Sequence, residues 1–141
     1  MGLFLFGVVT KFKEERGGVK ITTKEYVDFS NNIANEFVMR NMPNGDISKV
    51  KYFVPLFDGG IRGYYEVKGI SFGTRKKEVK DSDGNIVRVD MPCLNIKLGE
   101  YKSLGSEVAP IPNYRNWNGQ IHSYIEILNL YESQTQSDLE L

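Results

Sequence analysis

Hydrophobic and polar positions change rhythm several times along this chain, and each change marks an element. Residues 3 to 12 are apolar almost throughout and turn amphipathic at Thr10-Lys11-Phe12-Lys13, which predicts a buried strand. A turn follows at Glu14-Glu15-Arg16-Gly17-Gly18. Tyr26, Phe29, Ile33 and Phe37 then recur at spacings of three and four, the stripe of an amphipathic helix of about five turns. Thr22 and Glu25 form a capping box at its start, the hydroxyl accepting from an amide while the carboxylate reaches back. Met42-Pro43-Asn44-Gly45 ends it, because Pro disfavours a helical residue before it and Gly permits a left-handed exit.

Past Gly45 the period falls to two. Val50, Tyr52, Val54 and Leu56 alternate with Lys51, Phe53, Pro55 and Phe57. Pro55 cannot donate to a ladder and points to an edge or a bulge. Asp58-Gly59-Gly60 is a hairpin turn into a strand over residues 61 to 72. Another strand is predicted over Lys76 to Lys80, then the turn Asp81-Ser82-Asp83-Gly84-Asn85, then a strand from Ile86 to about Leu98, broken near Pro92. Gly99 to Gly105 holds a short helix or a turn. Residues 106 to 120 carry Pro110, Pro112, Asn113, Asn116, Asn118 and Gly119 and read as a loop, with Trp117 inside it. A closing strand from Gln120 to Tyr131 sets Ile121, Ser123, Ile125 and Ile127 opposite His122, Tyr124, Glu126 and Leu128. The predicted class is α+β, mainly β: a small curled antiparallel sheet or pseudo-barrel with one amphipathic helix near the N-terminus. Residues 1–131 form one globular domain in this reading, and residues 132–141 a polar, disordered tail.

Composition narrows the function classes. The 141 residues suit one domain, and 12% aromatic content is too rich for a disordered chain. With 18 basic and 18 acidic residues the net charge is zero, so nucleic-acid binding requires a local patch. Two clusters qualify: Arg75, Lys76, Lys77 and Lys80 on one hairpin, diluted by Glu78, Asp81 and Asp83, and Lys11, Lys13, Arg16 and Lys20 near the first turn. The single Cys93 sits in an apolar run and reads as a buried thiol; no disulfide framework or Cys/His zinc cluster is available. The apolar start is short, lacks a positive n-region, and has Phe6 where a myristoylation signal wants Ser or Thr. A cytoplasmic protein without a membrane partner is expected.

The segment from Asp58 to Lys68 carries the densest chemistry. Strand alternation puts Arg62, Tyr64, Glu66 and Lys68 on one face and Ile61, Gly63, Tyr65 and Val67 on the other, core-facing one. Asp58 followed by Glu66-x-Lys68 resembles the Asp…Glu-x-Lys signature of restriction-endonuclease-like nucleases. That resemblance implies Mg²⁺ on two carboxylates and a lysine that orients water. The chain lacks the βαβ alternation of such a core, and no strong acidic residue sits on the helix face, although Glu36 could serve. Without a metal, Glu66 and Lys68 are an ordinary exposed strand pair, contributing a few tenths of a kcal/mol.

Gly60-Ile61-Arg62-Gly63-Tyr64-Tyr65-Glu66-Val67, after an extended apolar strand, also resembles the central G-I-x-G-x-x-E-V hairpin of PUA-like barrels of the ASCH and EVE group. Leu94-Asn95-Ile96-Lys97-Leu98-Gly99-Glu100-Tyr101, a Pro-rich loop and a last strand resemble that group's C-terminal half. The chain departs from it at Gly45-Asp46, where extra residues precede Val50. The resemblance implies RNA or DNA binding, with a modified or flipped base in an aromatic pocket. Tyr52, Phe53, Tyr64 and Trp117 could line such a pocket, where stacking contributes about 1–3 kcal/mol per base; plain core packing is the favoured reading of any one of them, Trp117 being the exception. Trp117, in a polar loop beside Arg115, either plugs the fold or meets a ligand.

The expectation is therefore a non-catalytic nucleic-acid-binding module using Arg62, Tyr64, Arg75, Lys76, Lys77, Lys80, Arg115 and Trp117. It has no metal or cofactor, Mg²⁺ entering only with the nuclease alternative at Asp58, Glu66 and Lys68. A protein-interaction subunit or inhibitor is the third reading, since a neutral, aromatic-rich domain suits protein interfaces. His122 reads as structural, and no nucleophile triad, phosphate loop or dinucleotide fingerprint is present.

Overall fold

A computed structural model describes residues 2–15 and 17–135. The opening apolar run forms β1 (Leu3–Val8), and its two faces explain its continuous hydrophobicity. Leu5 enters one core and Phe4 and Phe6 the other, all three sealed from solvent. β1 is followed by a small hairpin, β2 (Phe12–Glu14) and β3 (Lys20–Thr22), then α1 (Lys24–Ser30) and β4 (Glu36–Met39). Next come β5 (Val50–Leu56), β6 (Gly60–Ile61), β7 (Gly63–Lys80), β8 (Ile86–Ser103), β9 (Ala109–Pro110), a 3₁₀ turn at Tyr114–Trp117, β10 (Ile121–His122) and α2 (Tyr124–Thr135).

The main sheet runs β10-β1-β5-β7-β8-β4. It is mixed and does not close into a barrel: β1 lies parallel to β5, and the other neighbours are antiparallel. The expectation of a mainly β, α+β chain holds; that of a purely antiparallel sheet does not. The parallel pair arises because β2, β3, α1 and β4 intervene between β1 and β5, a crossover long enough to return the chain in the same direction.

Each face of the sheet carries its own core. Phe29 of α1 packs with Phe37, Phe53, Tyr65, Leu94 and Ile96 on one side. Ile127 and Tyr131 of α2 pack with Phe4, Phe6, Val54, Leu56, Ile61 and Tyr64 on the other. Edge-on rings fill the first core, Phe29–Tyr65 at 5.5 Å and Phe29–Phe37 at 6.0 Å, the arrangement aromatic quadrupoles favour. Burial pushes the Tyr65 hydroxyl up to about 12.

Three elements differ from the reading of the sequence. The predicted five-turn helix spans only Lys24–Ser30, and its cap is Thr23, whose hydroxyl accepts from the Tyr26 amide at 3.0 Å. Asn32, at φ 58°, ends it, a conformation that asparagine tolerates. Phe37 keeps the helical spacing but sits on β4, where it reaches the same core as Phe29. The predicted closing strand is two residues of β10 followed by α2. Ser123 and Glu126 form the capping box that decides it: the Glu126 carboxylate accepts from the Ser123 amide at 3.1 Å, and the Glu126 amide donates to the Ser123 hydroxyl at 3.3 Å. Glu132 to Thr135, expected in a tail, belong to this helix; the rest of that predicted tail, 136–141, lies outside the described residues. Finally, the strands placed at 61–72 and Lys76–Lys80 are one 18-residue β7, and β8 runs unbroken through Pro92 to Ser103.

Candidate functional site

Two clefts flank the 3₁₀ turn Tyr114–Trp117. Asn113, left-handed at φ 55°, sets the chain into that turn. Asn118 then fixes its exit against the sheet, its side-chain oxygen accepting from the Val8 amide at 2.9 Å. The turn presents Trp117 to one cleft and Tyr114 and Arg115 to the other.

The first cleft, about 480 Å³, is walled by Phe6, Trp117, His122, Ile127 and Leu130, with Glu126, Asn129 and Ser133 supplying polar groups. Trp117 is half-buried; its ring lies 4.9 Å from His122, tilted 35°, and 5.3 Å from Phe6. His122 is braced on both ring nitrogens, 2.9 Å from Glu126 Oε2 and 2.9 Å from Gln120 Oε1. That hydrogen bond, together with those from Ser123, draws the Glu126 carboxyl down to about 2. The cleft therefore combines aromatic walls, an amide, a hydroxyl and a fixed negative charge.

The second cleft, about 470 Å³, opens where β1 and β5 end and is lined by Thr10, Lys11, Phe12, Phe57, Asp58, Gly59, Tyr114 and Arg115, among others. Asp58 and Gly59, at φ 54° and 77°, form the tight turn that closes the Phe57–Gly60 hydrogen bonds, with the paired positive φ of a type I′ hairpin turn. The Asp58 carboxylate accepts from the Tyr26 hydroxyl at 2.6 Å and lies 3.6 Å from Lys11 Nζ. The Tyr26 hydroxyl is raised above its ordinary value, chiefly by that hydrogen bond. Lys11 also lies 4.9 Å from the Tyr26 ring and 5.4 Å from Phe12. Arg115 lies 5.7 Å from the Tyr114 ring and is exposed, with no ion pair among the described residues.

The residues singled out from sequence are dispersed. Glu66 and Lys68 do share a face, both flanking Gly99 of β8. Asp58 is not with them. Glu66 pairs with Tyr52, and the four steps from Tyr52 to Leu56 already cover about 13 Å of strand before the Asp58 turn begins. Two carboxylates sharing one ion lie within a few ångströms of each other, so the register separates the nuclease set. Among the described residues no group of three His, Cys, Asp or Glu side chains gathers as for a metal.

Arg62 and Tyr64 lie on opposite sides, because the break between β6 and β7 at Arg62 resets the alternation. Arg62 stacks on Phe57 at 5.2 Å and donates to Asn32 Oδ1 at 2.7 Å, tying down the exit of α1. Tyr64 is 7% exposed and packed edge-on against Phe4 at 5.0 Å and Tyr52 at 5.4 Å; it is core, as is Phe53. The cluster Arg75, Lys76, Lys77 and Lys80 divides by strand alternation between two faces, and Lys76 is already paired with Asp90. Of the other cluster, Lys11 lines the second cleft and Arg16 lies outside the described residues. Sequence reasoning missed Tyr114, Tyr26 and the glutamate and histidine of the first cleft. The Ser123-x-x-Glu126 spacing was the one available signal.

No family model, no curated protein and no solved structure matches this chain. Among the described residues no helix is long and apolar enough to cross a membrane.

Proposed function

We propose that this protein is a non-catalytic module that binds nucleic acid in single-stranded form, with one base against Trp117 and the adjoining backbone at Lys11 and Arg115. The observation that carries this reading is the turn Tyr114–Trp117, which gives a large aromatic ring to one cleft and, to the next, a cation without an ion pair among the described residues. Single strands are held by this combination of a stacking platform and a cationic track. The charge distribution orients the ligand. Glu126 repels a phosphate from the aromatic cleft, so the base goes there, with Asn129 and Ser133 available to its edge. Phosphates go to Arg115 and to Lys11, whose charge offsets the Asp58 carboxylate in that cleft. The resemblance of Gly60–Val67 to PUA-like domains points to the same ligand class.

The test is fluorescence anisotropy with short RNA and DNA strands and their duplexes, at low and raised salt. Binding is expected at low salt, weakening as salt rises with a slope of about −0.7 per neutralised phosphate on a single strand. Arg115→Ala flattens that slope by about one phosphate. Trp117→Ala lowers affinity by about 1–3 kcal/mol and leaves the slope unchanged, while Trp117→Phe keeps the packing on Phe6 and retains part of the affinity. Absence of binding at low salt rejects the reading.

A further inference from the structure

The distal part of β7 and β8 is an arm with an unusual division of charge. From Gly73↔Cys93 to Lys80↔Ile86 the two strands form eight consecutive cross-strand pairs. Among the described residues no third strand continues beside them: the pairing of β4 with β8 ends at Met39↔Leu94, and β5 pairs with β7 only at Tyr65 and Glu66. Directly opposed residues share a face, so the register sorts the side chains. One face carries Lys76 with Asp90 and Glu78 with Arg88, both ion pairs. Lys80, opposite Ile86 at the tip, adds one further cation to that face.

The other face carries Arg75 with Met91, Lys77 with Val89, and Val79 with Val87. It has two cations, four apolar side chains and no carboxylate. Neither cation forms an ion pair among the described residues, and Arg75 Nε is shielded from solvent without an acceptor.

We infer that this valine-and-cation face is a docking surface for an extended protein segment that turns both carboxylate and apolar side chains toward it, at every second position of its chain. Charge complementarity asks for an anion, and two anionic partners are conceivable in chemistry: a phosphate backbone and an acidic peptide. The valines decide between them. Four aliphatic side chains gain nothing against phosphodiesters, but they bury well against apolar side chains at the period of a strand. The arm as a whole also carries Glu78, Asp81, Asp83 and Asp90 against Arg75, Lys76, Lys77, Lys80 and Arg88, too even a balance for a nucleic-acid ribbon. Size sets the kind of partner. Two strands about 10 Å wide and about 24 Å long present about 250 Å² in plan, well below the roughly 800 Å² per side of a stable globular interface. One extended segment fits; a folded partner bound here alone does not. A lone two-stranded ribbon is marginal in water, so a segment packed on its face would also steady the arm.

The test adds to the full chain a DNA duplex and short labelled peptides with threonine at every second position and, at the positions between, glutamate with valine, lysine with valine, or glutamate with serine, so that each pair shares one face of the extended peptide. Anisotropy and backbone amide shifts are read. The glutamate–valine peptide is expected to bind and to shift amides of residues 75–79 and 87–91, with the glutamate–serine peptide weaker. Combining Arg75→Glu with Lys77→Glu lowers its affinity about tenfold and makes the lysine–valine peptide bind instead. That reversal cannot come from misfolding. Val87→Ser with Val89→Ser weakens the peptide without changing its charge preference. Absence of peptide binding, equal binding of both charge types, or a duplex that shifts the same amides and displaces the peptide overturns the inference. The arm is separate from the two clefts, so the Trp117 and Arg115 variants leave peptide binding unchanged.

Discussion

Glu126 caps α2, braces His122 and sets the charge of the aromatic cleft. Its carboxyl is held down at about 2, first by the His122 hydrogen bond and then by those from Ser123, against an ordinary 4.5. A carboxyl with a depressed folded value stabilises the fold fully above its unfolded value and loses that contribution as pH falls toward the folded one. The window is therefore pH 4.5 down to about 2. Urea melts across that range are expected to show wild-type stability falling more steeply than that of Glu126→Gln, which cannot titrate. Parallel profiles for the two proteins would mean that the capping hydrogen bonds contribute nothing measurable. The Ser123-x-x-Glu126 spacing was legible in the sequence, but Ile121, Ser123, Ile125 and Ile127 also alternate. A period-two and a period-3.6 pattern can coincide over so few residues, and the cap, a local hydrogen bond, breaks the tie.

The β7–β8 arm shows the same problem at the scale of an element. Its turn, Asp81 to Asn85, was evident from residue types, and its strands follow from alternation. Their continuity was not evident, because the strand from residue 61 reads as ending at 72 and Pro92 reads as a break. Pro92 is tolerated because, among the described residues, β8 has no outer neighbour past Leu94 to which an amide would donate. That open edge has a dynamic consequence. Amides of residues 73–80 and 86–93 are expected to exchange with deuterium faster than those of β1 and β5 by several orders of magnitude, since few buried contacts hold the arm closed. Exchange at equal rates would show that the arm opens only with the whole molecule. The cations singled out from sequence, Arg75, Lys76, Lys77 and Lys80, became two different surfaces once register was fixed, because one residue step in a strand reverses the face.

At the scale of the whole molecule, one sheet serves two cores, and β1, β5 and β7 contribute alternate side chains to both. The two cores therefore share a backbone and are expected to melt together. Phe29→Ala empties the α1 core and costs about 3–5 kcal/mol. The single Trp117 reports on the opposite core, packed against Phe6. Its fluorescence transition should shift with the far-UV dichroism by the same amount, although the substitution lies across the sheet. A Trp117 transition that stays in place would show that the two faces unfold independently.

By itself the sequence determined the mainly β class, the hairpin turns at Asp58-Gly59 and Asp81–Asn85, the double-sided burial of the opening strand and the exceptional placing of Trp117 and Arg115. These are local matters, set by side-chain period, by residues that tolerate positive φ and by polarity. Only the tertiary structure decided that β1 and β5 lie parallel, that Tyr64 is core, that Asp58 stands far along the strand from Glu66, and that Lys11 joins Arg115 at one cleft. Those depend on which strands pair and in what register. Contacts between residues distant in sequence fix both, and no local pattern encodes them.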